Sequence, residues 1–249
     1  MQVNQIFSTE WLGHLPDKSF NSITTLDKAV TKCVACPRLV EWTQEVSIVK
    51  RKAYETEKYW GKPVPGFGPA DARVVVLGLA PGAHGANRTG RIFTGDRSGD
   101  WLYKSLFKNG LARIPTSTSK DDGQELIDTR ITCAVHCAPP DNKPTNEEKA
   151  ECSGYLREEL RLLFPTTRSY LVLGNFAWNS LFVALSELGE ALAKPRPKFA
   201  HGKRVKFKGE DGVTRLIVGS YHPSQQNTFT GKLTEPMLNS VVKSAATFH

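Results

Sequence analysis

Apolar residues recur along this chain with two different periods. Residues 73–79, 131–135, 170–174 and 216–220 are short and mostly apolar, with little polar alternation. Strands buried on both faces of a parallel sheet need that composition. Between and after them, the apolar spacing lengthens to three and four residues. It predicts helices over residues 99–109, 147–164, 177–188 and 235–247. Thr145, with Glu148 three residues on, forms a capping box at the start of the second. Ahead of the first strand, residues 23–33 and 39–50 read as a helical pair joined at Cys36-Pro37, within an N-terminal helical segment of about 19–50. Polar inserts at 115–124 and 194–212 are expected as loops or a β-ribbon. The element order predicts an α/β fold: a three-layer sandwich with a central, mostly parallel four-stranded sheet flanked by helices. Neither an internal repeat nor a linker stands out, so residues 1–249 are expected as one domain.

Each expected strand runs into a polar segment. The first gives way to residues 78–96, which hold five glycines, Pro81, the polar side chains His84, Asn87, Arg88, Arg91 and Asp96, and the aromatic Phe93. Glycine lets the backbone approach a ligand closely and take positive φ. The second strand ends in His136-Cys137-Ala138-Pro139-Pro140-Asp141-Asn142, the third in Gly174-Asn175, and the fourth in Tyr221-His222-Pro223-Ser224-Gln225-Gln226-Asn227. Ligands of open α/β sheets bind outside the carboxyl ends of the strands, so these four segments converge on one candidate site.

Net charge adds a preference for partner. Lys and Arg number 33 against 25 Asp and Glu, a formal charge of +8, which favours an anionic partner such as nucleic acid. No apolar run is long enough to span a bilayer, and residues 1–10 lack a basic segment followed by an apolar core. The expectation is a cytoplasmic protein with reduced thiols. Five cysteines then argue against a disulfide framework. Cys33 and Cys36 form a C-x₂-C pair, and Cys137 and Cys152 supply two further thiols. Four such ligands suit a structural zinc or a [4Fe–4S] cluster, and spacing does not separate the two. Cys133 lies in the apolar alternation Ile131, Cys133, Val135 and reads as a buried small hydrophobe.

The segment Gly-Leu-Ala-Pro-Gly at 78–82, Asn-Arg-Thr-Gly-Arg-x-Phe-Thr-Gly-Asp at 87–96, the cysteines at 33, 36, 137 and 152, and His222-Pro223-Ser224 together resemble the uracil-DNA glycosylase superfamily. Within it they most resemble family 5, the B-type enzymes. The resemblance implies a [4Fe–4S] cluster on those four cysteines. It also implies excision of deaminated bases from DNA, by a monomer acting in base-excision repair in the cytoplasm, at the nucleoid of a prokaryote. Many enzymes of the superfamily carry a polar side chain in the first motif. Here Leu79-Ala80-Pro81-Gly82 has none, which is the family 5 pattern and shifts the catalytic burden to Asp96. The position at which family 4 relatives carry a uracil-reading asparagine is matched to Cys133, which implies looser base selection and acceptance of hypoxanthine.

The chemistry of the residues agrees. A glycosylase extrudes its target base into a pocket that must stack it, read its edge, position water and stabilise the departing base. Phe93 is the stacking candidate, with core packing as its alternative. Asp96 is the candidate for activating water and stabilising a cationic sugar, with a helix N-cap as a compatible alternative. His222 is the candidate donor to the departing base, and Asn142 the candidate for reading its edge or holding water. Gly78, Ala80 and Gly82 are expected to give the base room. Candidate DNA contacts are His84, Asn87, Arg88, Arg91, Ser224, Gln225, Asn227 and Lys232, with Arg97, Lys203, Arg204, Lys206 and Lys208 as further cations. Phe229 is a candidate wedge for the space left by the extruded base. The competing class is a non-catalytic iron–sulfur protein that serves nucleic-acid binding or electron transfer, and an electron carrier would have no use for convergent Asn, Asp and His side chains.

Overall fold

The computed structural model describes residues 19–249; the expectation about residues 1–10 lies outside them. The elements are α1 (Ile23–Thr31), α2 (Pro37–Val49), β1 (Val74–Gly78), α3 (Ala86–Thr89), α4 (Arg97–Lys108), β2 (Thr129–Cys133), α5 (Asn146–Leu163), β3 (Ser169–Leu173), α6 (Asn175–Glu187), β4 (Arg204–Lys208), β5 (Thr214–Ser220), α7 (Gln225–Phe229) and α8 (Glu235–Ala246). Sequence periodicity located every long helix and four strands. Among the described residues, no helix is long and apolar enough to cross a membrane.

The strand order is β2-β1-β3-β5-β4. β1 pairs in parallel with β2, Gly78 opposite Cys133, and with β3, Val74 opposite Ser169. β3 pairs in parallel with β5, whereas β4 runs antiparallel to β5 with Arg204 opposite Val218. The sheet therefore has five strands, and the expectation of four is corrected. The extra strand comes from the 194–212 insert. Its alternation hides a period of two inside a polar stretch: Phe207 and Val205 pack into one core, while Arg204, Lys206 and Lys208 are exposed. Exposed cations on an edge strand discourage pairing with another sheet.

Alternation along the parallel strands divides two cores. Val74 and Val76, with Ile131, Leu171, Leu173 and Val218, pack with residues of α4 and α8. Val75 and Leu77, with Tyr170, Val172 and Ile217, pack with residues of α1, α5 and α6. Because β2 and β3 flank β1 on opposite sides, the loops leaving β1 and β3 separate at the place where doubly wound sheets bind ligands.

One buried ionic network anchors α1, the first of the N-terminal helices. Arg130 on β2 donates to Glu159 of α5, to Asp27 Oδ1 of α1 at 2.7 Å and to the carbonyl of Gly68 at 2.8 Å. Thr132 donates to the other Glu159 oxygen. Arg130 and Glu159 are 2% and 1% exposed, so neither charge has water to fall back on. Burial pushes the Asp27 carboxyl up to about 6, against the pull of Arg130. Removing one partner strands a buried charge, which typically costs about 3–5 kcal/mol. Glu159→Ala is therefore expected to lower the unfolding free energy by about that amount in denaturant titration. A loss below about 1 kcal/mol would mean that the network is not a structural tie.

Candidate active site

A cavity of about 580 Å³ opens at the carboxyl ends of the parallel strands. Ala80, Gly82, Phe93, Asp96, Asn142, His222, Ser224 and Gln225 line it, together with Leu79, Ile92, Arg97, Ser98, Asp141 and Gln226. All three catalytic candidates are thus brought together, from loops widely separated in sequence. A second cavity of about 650 Å³ adjoins it and shares Gly82, Asp96, Arg97, Asn142 and Gln225. His84, Arg88, Arg51 and Tyr54 extend that second wall.

Asp96 is the N-cap of α4: its Oδ1 accepts the Gly99 N–H at 2.9 Å. The other oxygen rests on the glycine loop. A Cβ on Gly82 would come within 3.1 Å of Oδ2, and one on Gly85 would overlap the carboxylate. Glycine at these two positions lets the loop close over Asp96. Burial raises the Asp96 pKa, and the N–H groups of Gly99 and Ser98 recover only part of that shift. A desolvated carboxylate that keeps one oxygen clear of the cap is suited to accept a proton.

Phe93 is 6% exposed and has φ 53°, left-handed backbone that costs an aromatic residue energy. Gly78 lies under its ring: a Cβ there would stand 2.9 Å from the ring edge. The rings of Phe93 and His222 sit 5.6 Å apart, tilted by 31°. Burial pushes the His222 imidazole down to about 4, so near neutrality it is uncharged with one N–H to donate. Asn227 donates to the His222 carbonyl at 2.9 Å and holds the turn. Asn142 also has left-handed backbone, φ 56°. Its exposed amide makes no hydrogen bond to a described residue and stands where the two cavities meet.

The remaining candidates divide by burial. Ser224, Gln225 and Arg97 line the cavity; Arg97 lies over the ring of Phe229 at 4.9 Å, and Phe229 is 67% exposed. Lys232 is exposed, 4.8 Å over the Tyr221 ring. His84 meets the Tyr59 hydroxyl at 3.0 Å, and burial together with Arg51 and Arg88 lowers its pKa. Arg88 pairs with Glu57, donates to the carbonyls of His84 and Gly95, and stacks on Tyr54, so its guanidinium is largely committed within the protein. Two expected DNA contacts are corrected. Asn87 is fully buried and donates to the Thr43 carbonyl of α2, and Arg91 is buried in an ion pair with Asp122. Asn227 is half-buried and spends its amide nitrogen on the His222 turn. Arg204 and Lys206 line a separate cavity beside α8. Arg51, Tyr54 and Tyr59 had no periodicity or motif to mark them.

Cys33, Cys36, Cys137 and Cys152 line one small space between α2, α5 and the segment after β2. The His136 N–H donates to the Cys152 sulfur at 3.3 Å. His136 lines the same space, and its Nε2 is buried without a partner among the described residues. Burial and the neighbouring Cys33 push the Cys36 thiol up to about 11. Among the described residues no lysine or arginine lines this space, so thiolates there would need a bound cation. Among the described residues, no three His, Cys, Asp or Glu side chains are grouped as ligands of a single ion. Cys133 is separate: it is fully buried, and a Cβ on Gly78 would lie 3.3 Å from its sulfur. It does not line the cavity, so the expectation that its thiol replaces an edge-reading amide is corrected.

Residues 65–246 match the family model described as the uracil DNA glycosylase superfamily. The type-5 uracil-DNA glycosylase of Mycobacterium tuberculosis is 48% identical over 224 residues, covering 90% of this chain and 81% of that protein. That of Thermus thermophilus is 45% identical over 218 residues, 88% of this chain and 94% of its own. A type-4 uracil-DNA glycosylase of Pyrobaculum aerophilum is 30% identical over 168 residues, 67% of this chain and 74% of its own.

The state of His222 is directly measurable. Its folded pKa lies near 4, below the unfolded value of 6.5. Its neutral form therefore contributes stability that is full above about 6.5 and is lost as pH falls towards 4. Nitrogen-15 NMR of the imidazole is expected to show the neutral ring at pH 6. An imidazole that titrates near 6.5 would show that the cavity does not desolvate it.

Proposed function

The chain belongs to the uracil DNA glycosylase superfamily, and from that premise we propose that it is a monofunctional DNA glycosylase, a hydrolase that cuts the N-glycosidic bond of uracil in DNA and leaves an abasic site for base-excision repair. The observation that carries this proposal is the meeting of Asp96, Asn142, His222 and Phe93 in one cavity at the sheet edge. The deaminated base leaves the duplex and enters that cavity, with Phe93 supporting one face. Neutral His222 donates to a carbonyl oxygen of the base as negative charge develops there. Asp96 takes the proton of the attacking water and stabilises positive charge on the sugar. Asn142 holds the water or the base edge from the mouth. Ser224, Gln225, Arg97, His84 and Lys232 contact the DNA backbone, and Phe229 fills the gap in the stack. We treat residues 1–249 as one domain acting as a monomer.

The substrate range extends, in this proposal, to at least one deaminated purine such as hypoxanthine. The supporting observation is the small wall of Ala80 and Gly82 beside a cavity of about 580 Å³. Among the described residues no lysine lines the cavity, which supports water as the nucleophile and an intact DNA backbone. Incubation with a uracil-containing duplex followed by alkali tests the activity, and borohydride tests the nucleophile. We expect cleavage at uracil after alkali, free hypoxanthine from an inosine duplex and no trapped adduct. An intact strand after alkali would contradict the enzyme assignment. Asp96→Asn is expected to slow single-turnover excision by about 10²-fold or more with DNA affinity retained, because the carboxylate acts in the transition state. An unchanged rate would remove Asp96 from catalysis.

The four-cysteine space is proposed to hold a [4Fe–4S] cluster on Cys33, Cys36, Cys137 and Cys152. The four sulfurs that line this one space would supply the four thiolates that such a cluster takes. When bound, the cluster supplies cationic iron that offsets the thiolate charges and ties the N-terminal helices to the sheet edge. We expect about four irons per chain after anaerobic purification, lost in Cys33→Ser or Cys152→Ser and kept in Cys133→Ser. Stoichiometric zinc without iron would overturn it.

A further inference from the structure

Phe93 holds a left-handed backbone (φ 53°), a conformation an aromatic residue keeps only when its surroundings impose it. Part of those surroundings is the polar 115–124 insert, which no catalytic step uses. Arg91 Nε donates to Thr94 Oγ1 at 3.0 Å, bridging the residues on either side of Phe93. Its Nη2 donates to both Asp122 oxygens at 2.7 and 2.6 Å and to Ser117 Oγ at 2.7 Å. Ser117 in turn bonds the Thr94 hydroxyl at 2.7 Å, and its carbonyl accepts the Gly95 N–H at 2.9 Å. Asp122 also accepts the backbone N–H groups of Thr118 and Gln124 at 2.7 and 2.9 Å, so the insert folds around this carboxylate. Thr94 and Ser117 are fully buried, and Arg91 is 4% exposed. The insert thus holds the Arg91, Thr94 and Gly95 polar groups, beside the hydrogen bonds that Arg88, Thr89 and Tyr103 give to the turn's carbonyls.

We propose that Arg91, Ser117 and Asp122 are positioning residues: the insert clamps the turn so that the Phe93 ring is pre-set to stack the extruded base. The clamp spares the enzyme from ordering that ring as the base arrives, and preorganisation of this kind appears in the rate. Loss of the Asp122 charge would leave Arg91 half-paired, release the 117–122 backbone and let Phe93 leave its strained conformation. This inference rests on the glycosylase reading and names residues that never touch the substrate.

A double-mutant cycle on the single-turnover rate of uracil excision tests it. A clamp that acts only through Phe93 has no effect once that ring is gone, whereas an independent structural role multiplies with its loss. We expect Asp122→Asn and Phe93→Ala each to slow excision by about tenfold or more, the range set by base–aromatic stacking. The double variant is expected to be no slower than Phe93→Ala within about twofold, because the two residues act as one unit. Affinity for a duplex carrying an abasic-site analogue is expected to stay at the wild-type value in Asp122→Asn. Ser117→Ala, which removes one hydrogen bond and no charge, is expected to follow the same cycle with a smaller effect, and it serves if Asp122→Asn does not fold. Multiplying effects would overturn the proposal, as would an unchanged rate in the foldable variant. A wild-type protein that releases no uracil would instead overturn the glycosylase assignment.

Discussion

Asp96 sits where the amino end of α4 meets the glycine loop, and the rest of the site depends on that meeting. The helix end favours a charged carboxylate and burial opposes it; burial prevails, and the group stays harder to ionise than an exposed aspartate. A Cβ on Gly85 would collide with the carboxylate, and one on Gly82 would crowd it. One on Gly99 would collide with the carbonyl of Phe93. The start of α4 therefore fixes two things together: the proton acceptor and the aromatic platform beside it.

The candidate cluster and the cavity share structure as well as sequence neighbourhood. Ala80, on the cavity wall, packs against the small core of Leu39, Val135 and Cys137. Val135 donates to the Leu79 carbonyl at 3.0 Å, continuing the β1–β2 pairing into both loops. A group held by Cys137 would brace the loop after β1 through this short path. The Arg130–Glu159–Asp27 network holds the other side by fixing α1, just ahead of Cys33, to β2 and α5.

Much of this was legible in the chain. Short apolar runs marked the parallel strands, and the polar segments after them marked the edge where the cavity opens. Gly78–Asp96, Asn142 and His222 were found because special residues clustered at strand ends. The fifth strand escaped because its apolar positions, Val205 and Phe207, alternate with cations that resemble a loop. Asn87 and Arg91 read as DNA contacts because polar side chains in a glycine loop are usually solvated. Here Thr43 and Asp122, 44 and 31 residues away in sequence, supply buried partners that no local pattern reveals. Cys133 read as a buried small hydrophobe and is one, yet its place behind Phe93 rather than on the cavity wall depends on the register with Gly78.

The pH dependence of single-turnover excision tests most directly whether a desolvated Asp96 drives hydrolysis. With enzyme saturating a uracil-containing duplex, the rate is expected to rise with pH through an apparent pKa above 3.8, the ordinary aspartate value, and then to level. That acidic limb is expected to vanish in Asp96→Asn. A wild-type rate independent of pH down to about 4, or a limb that persists in Asp96→Asn, would contradict the account.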